Sequence, residues 1–222
     1  MPGTVADALV LSLGVAISPI PILGIVAFLL SERPRRTGLG FTGGWLGGIA
    51  VVVCGATAFA LFSDRLGLSG LRQSVAVVGV VLGAVAIAAG CAVWIVRPAG
   101  TEGRPPRWLA ALDQMSVLQA VFLGAALSAV NPKNLLASIL AGLIIGWSGL
   151  STQAVGVSAA GFSLIASSTV LLPMLAFLVA GRAIRGRLTL VRDWLIRHQA
   201  GVVSLILIVI GALLVIRGLA GS

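Results

Sequence analysis

Six long apolar runs mark this chain, near residues 5–30, 39–62, 73–96, 117–147, 153–180 and 201–217. Each falls within or above the roughly 17–25 helical residues that cross a hydrocarbon core of ~30 Å. Backbone groups in lipid must find their hydrogen bonds internally, so runs of this length are expected to be helices. Charged residues make up 9% of the 222 and hydrophobic ones 59%, whereas a water-facing domain carries roughly 25% charged residues. The expected fold class is an all-α integral membrane protein with six transmembrane helices.

The net charge of +9 comes from 14 arginines, one lysine and six acids. Nearly all the arginines lie between the apolar runs, as in cytoplasmic membrane loops, which argues against nucleic acid as a partner. The loops after runs one, three and five hold Arg33, Arg35, Arg36, Arg97, Arg104, Arg107, Arg182, Arg185, Arg187, Arg192 and Arg197. The opposite side holds Arg65, Arg72 and Arg217. Positive-inside counting makes the arginine-rich side cytoplasmic and places both termini outside, in a plasma (inner) membrane. The first run follows no basic residue and outlasts a signal-peptide core, so it is expected to be a membrane span and not a cleaved leader. Cys54 and Cys91 lie inside runs and are expected to be small apolar core residues.

The two halves of the chain resemble each other around two prolines. Run one contains "AISPIPILG" and run four "AVNPKNLLA"; matching Ser18-Pro19 to Asn131-Pro132 sets an offset of 113 residues. Three spans per half make the second copy enter from the opposite side, which is an inverted repeat. The expected organisation is repeat 1 over about 5–96, a basic linker over 97–116 and repeat 2 over about 117–217, in one transmembrane domain. Ser and Asn are preferred helix caps and Pro is preferred at the first helical position. "SPIP" and "NPKN" are therefore each expected to end one helix and start another inside a span.

Each restarting half-helix points free N–H groups and about half a positive charge toward the midplane. Lys133, the only lysine in the chain, lies there too. A lysine at the bilayer centre costs ~2.5–3.5 kcal/mol on insertion scales. Asp7, Glu32, Asp64, Glu102, Asp113 and Asp193 all fall at or beyond the run ends, so no acid is expected at that depth. The compensating charge is therefore expected from an anionic ligand: a carboxylate, phosphate or sulfate. The candidate substrate-binding residues at this level are Ser18, Pro19, Asn131, Pro132, Lys133 and Asn134.

Other features have more ordinary readings. Gly40, Gly44 and Gly48 repeat every four residues, which permits close helix approach within the chain or between two subunits. Trp94, Trp108, Trp147 and Trp194 fall near run ends, as aromatic-belt residues do, while Trp45 is deeper. Ile184, Leu188, Val191 and Leu195 recur at helical spacing among arginines, as do Trp108, Leu112 and Met115. Both segments are expected to be interfacial helices on the inner leaflet. With one histidine, His198, and no nucleophile–base set, paired carboxylates or metal motif, neither an enzyme nor a cofactor or metal is expected.

"NPKN" in the fourth run, paired with "SPIP" in the first, resembles the lysine-exporter (LysE) superfamily. The closer likeness is to its GAP group, the peptidoglycolipid- and sulfolipid-addressing proteins, and it covers the whole chain. The resemblance implies a cell-envelope membrane protein that moves an anionic lipid or glycolipid, alone or beside a larger lipid transporter. Amino-acid or small-anion export is the alternative it carries, with Ser128, Asn134, Ser138, Ser163, Ser167, Ser168 and Thr169 as further polar contacts. The resemblance carries the binding role onto Ser18, Pro19, Pro21, Asn131, Pro132 and Lys133, and it is compatible with a homodimer. Ile20 stands where amino-acid exporters often have glycine between the two prolines of the first span, which favours the lipid reading.

Overall fold

The computed structural model describes residues 2–67, 70–96 and 112–220. Among these the chain is helical, with no strand: α1 (Pro2–Ala16), α2 (Pro19–Leu30), α3 (Pro34–Arg65), α4 (Gly70–Val96), α5 (Val117–Ala129), α6 (Pro132–Gly146), α7 (Thr152–Ala166), α8 (Ser168–Ala180) and α9 (Arg185–Ala220). Short 3-10 turns cover Leu112–Gln114 and Gly181–Ile184. Three of the helical stretches, Pro34–Arg65, Gly79–Val96 and Ser168–His198, are long and apolar enough to cross a membrane. Two bent pairs raise the number to as many as five, if each pair is one span. The outward faces are oily throughout: Val51, Ile95, Phe122 and Val179 all stand exposed. That much apolar surface requires lipid or another apolar cover.

Proline sets three of the helix starts. Pro19, Pro34 and Pro132 each occupy the first position of their helix, where the missing N–H would be unpaired anyway. The chain bends where runs one and four carry their Ser-Pro and Asn-Pro pairs, as a broken span or a re-entrant loop would. α1 meets α2 at 51°, and α5 meets α6 at 67°. A third break was not expected: run 153–180 divides at Ser167 into α7 and α8. Ser167 accepts bonds from both Val170 N and Leu171 N, a tightened turn, and Pro173 further along α8 removes another backbone donor.

The 32-residue α3 is the hub and packs on α2, α5, α6, α7 and α8. Phe28, Phe41 and Trp45 are buried on or against it, with ring centroids 5.3 Å and 6.4 Å apart in that order. Gly40, Gly44 and Gly48 face α5. A Cβ on Gly44 would collide with the Val121 backbone, and one on Gly48 with Ser128. The glycine stripe thus serves packing within the chain. Between α4 and α9 a second small-residue seam is formed by Gly83, Gly90 and Gly211, and Ser204 Oγ donates to Gly90 O at 2.6 Å. Small residues replace the hydrophobic effect as the driving force for helix contact where lipid is the solvent.

Several expectations need correction. Cys54 and Cys91 are exposed, not core residues, because the outer face of such a chain is as apolar as its interior. The segment from Ile184 to Leu195 does not lie apart as an interfacial helix. From Arg185 it is the first part of α9, and its apolar face buries Leu188 and Leu195, the latter clustering with Leu23 of α2. Trp147 is tied to α3 through a bond from Nε1 to Ser63 Oγ at 3.1 Å. Trp94 and Trp194 are exposed, and Trp194 stacks on His198. Trp108 and most of the 97–116 linker fall outside the described residues.

Candidate anion site at the two helix breaks

A break in a helix creates two ends of opposite sign. The end that stops leaves up to four carbonyls without partners and the end that starts leaves up to four N–H groups. Residues of the second half serve the stopping end of α1 and both ends of the second break.

Asn131 caps α6, its Oδ1 accepting from Lys133 N at 3.1 Å. Lys133 then extends its side chain to α1, where Nζ donates to Gly14 O at 2.6 Å. Gly14 lies in the last turn of α1, so the ammonium meets the negative end of a helix dipole. Thr169 of α8 donates from Oγ1 to Ala16 O at the same end. Asn134, fully buried, donates from Nδ2 to Leu127 O near the end of α5 at 3.4 Å. Ser18 stands at the cap position of α2 but its hydroxyl makes no capping bond.

Lys133 thus has a partial protein partner: the stopping end of α1 supplies a carbonyl, which carries no net charge. An ammonium has three donors. Gly14 O takes one, and the other two have no protein partner among the described residues.

Ser18, Pro19 and Ile20 from the start of α2, and Asn131, Pro132 and Lys133 from the start of α6, line one cavity of about 270 Å³. Val203, Ile206 and Leu207 of α9 form its apolar wall. Five of the seven candidate residues thus share this cavity. Pro21 and Asn134 do not line it: both are buried in packing. No acidic residue lines it either. The α9 wall was missed by sequence reading, since an apolar stretch in a last span looks the same whether it faces lipid or a site.

The further polar residues named for an amino-acid substrate are mostly engaged elsewhere. Ser128 donates to Ala125 O, Ser163 to Ala159 O and Thr169 to Ala16 O. Ser138 and Ser167 are buried with unpaired hydroxyls, and neither lines the cavity. Thr169→Val, which keeps the shape and removes the bond to α1, should cost about 1 kcal/mol of stability. Thermal unfolding of purified protein checks this, with Ser168→Ala as the near-neutral control.

A family model described as Sap, sulfolipid-1-addressing protein, matches residues 8–220. No curated protein and no solved structure matches the chain.

Proposed function

The chain belongs to the sulfolipid-1-addressing protein family, and on that premise we propose that it is a membrane transporter or translocation factor for an anionic lipid or glycolipid of the cell envelope. Lys133 and the starts of α2 and α6 hold the head group, and the apolar wall on α9 accommodates the beginning of the acyl region. The observation that carries this reading is the single cavity shared by two helix starts and a lysine with two spare donors. Helix starts favour anions, and the ammonium adds a full charge beside them.

In this reading the chain forms six spans in two inverted repeats. The first and fourth spans are the interrupted α1–α2 and α5–α6 pairs, and the cavity lies near the midplane where the repeats meet. The arginine-rich side faces the cytoplasm. Rocking of one repeat against the other exposes the site alternately. A purely apolar wall, and hydroxyls already bonded to carbonyls, favour a lipid over an amino acid at the same cavity.

The test is transbilayer movement in proteoliposomes. Vesicles containing a fluorophore-labelled phosphatidylglycerol or phosphatidylcholine are treated with a membrane-impermeant quencher, with and without the protein. The protein should accelerate movement of the anionic lipid above that of the zwitterionic one. Movement of neither lipid would sink the autonomous-translocation reading and leave an accessory role beside a larger transporter. Counterflow of an amino acid without lipid movement would establish the exporter reading instead.

A further inference from the structure

A second cavity, of about 500 Å³, lies at the far end of α2. Four guanidinium groups line it: Arg33, Arg35 and Arg36 where α3 begins, and Arg182 in the turn after α8. Phe177, buried on α8, lines it as well. No acidic side chain lines this cavity, and all four arginines are exposed. Among the described residues none of the four is recorded in an ion pair, and Glu32 beside them does not line the cavity.

The neighbouring Arg185 shows what a structural arginine does here. Its Nη2 donates to Leu30 O and Ser31 O, at 3.4 Å and 3.0 Å, and so closes the C-terminal end of α2. The four cavity arginines have no such employment. Four like charges drawn around one hollow repel one another, and an oxyanion that accepts from several of them relieves that repulsion while using the bidentate geometry of guanidinium.

Position selects the source of the oxyanion. α2 has 12 residues and is therefore about 18 Å long. Its start lines the Lys133 cavity and the residues just after its end line the arginine cavity. That separation is close to the half-thickness of a hydrocarbon core, ~15 Å. Apolar surface continues beside the arginines: Val179, two residues before Gly181, is 91% exposed. A phosphate or sulfate held by the arginines would thus have lipid-facing protein next to it for acyl chains.

We propose that the Arg33, Arg35, Arg36 and Arg182 cavity is a second anion site, which binds the phosphate or sulfate group of a membrane lipid head at the membrane surface. The inference rests on the proposed function for the membrane setting and for the midplane position of the Lys133 cavity; it stands whether or not Lys133 binds a substrate. As the arginine-rich side, it is where an anionic lipid of that leaflet would be gathered.

The experiment is native mass spectrometry of the delipidated full-length protein titrated with phosphatidylglycerol, performed in a Lys133→Ala background so that the other cavity does not contribute. The Lys133→Ala chain should bind phosphatidylglycerol, and bind phosphatidylcholine more weakly. Adding Arg33→Gln with Arg182→Gln should weaken phosphatidylglycerol binding by at least about tenfold, the scale of a single lost charge-assisted bond. Arg35→Gln with Arg36→Gln should do the same through the other pair. Equal binding with and without the arginines would overturn the proposal. So would displacement of the lipid by inorganic phosphate at millimolar concentration, because the ligand would then be the free oxyanion.

Discussion

Lys133→Ala is expected to leave a folded protein that no longer moves its anionic lipid. The substitution removes the charge from the cavity where the starts of α2 and α6 meet. A hydrogen bond to a charged group is worth about 1.5–3 kcal/mol, so head-group affinity should fall roughly ten- to a hundredfold. The same change removes the bond from Nζ to Gly14 O and leaves that carbonyl at the end of α1 with one partner fewer. Some loss of stability is therefore expected as well, but removal of a part-buried charge that has no acidic partner opposes it. Lys133→Arg keeps the charge on a larger, planar group and should retain part of the activity. Flux in proteoliposomes, read beside the elution profile and melting curve of each variant, separates loss of binding from loss of fold.

Gly44→Val is expected to be the most damaging single change in the packing. The position faces α5 so closely that a Cβ would collide with the Val121 backbone, and neither helix can yield without moving. Overpacking usually costs about 1–3 kcal/mol and can exceed that where backbone is the obstacle. Gly43, one residue earlier on the same helix, has nothing within 4 Å of its Cβ position. Gly43→Val should therefore stay within about 0.5 kcal/mol of wild type. The pair is a matched test of the α3–α5 contact: same substitution, same helix, one position against α5 and one in open space. Similar melting temperatures for the two variants would show that the glycine stripe is not buried against α5.

The all-helical, membrane-like character was legible because long apolar runs announce such helices. The breaks at Ser18 and Asn131 were legible for a different reason. A small polar residue followed by proline is a favoured helix start, and inside an apolar run that start reads as a restart. The break at Ser167 carried a weaker signal, a Ser-Ser-Thr cluster with Pro173 some residues later, and passed for one continuous helix. Sequence could not say that Gly40, Gly44 and Gly48 face α5, since a small-residue stripe marks a close contact without naming the partner. Nor could it assign Leu188 and Leu195 to packing inside the protein, because an amphipathic face fits a membrane surface and a neighbouring helix equally well.

The candidate site was legible in its cation and its two starts, and not in the end of α1. Lys133 was conspicuous by being unique, and the prolines by their matched positions. The Gly14 carbonyl has no sequence signature at all: any residue in the last turn of a helix presents one. Asn134 was grouped with the binding residues by adjacency alone. It is one position further around the helix from Lys133, and that rotation takes it out of the cavity and onto Leu127 O.

The central claim is that an anionic head group occupies the cavity at Lys133. The most direct measurement is the occupancy of anionic lipid on the purified chain by native mass spectrometry, in a background with Arg33→Gln, Arg35→Gln, Arg36→Gln and Arg182→Gln, which removes all four arginines of the second cavity. One anionic lipid should remain bound there and disappear when Lys133→Ala is added. Equal occupancy with and without Lys133, or no lipid in either form, would contradict the account.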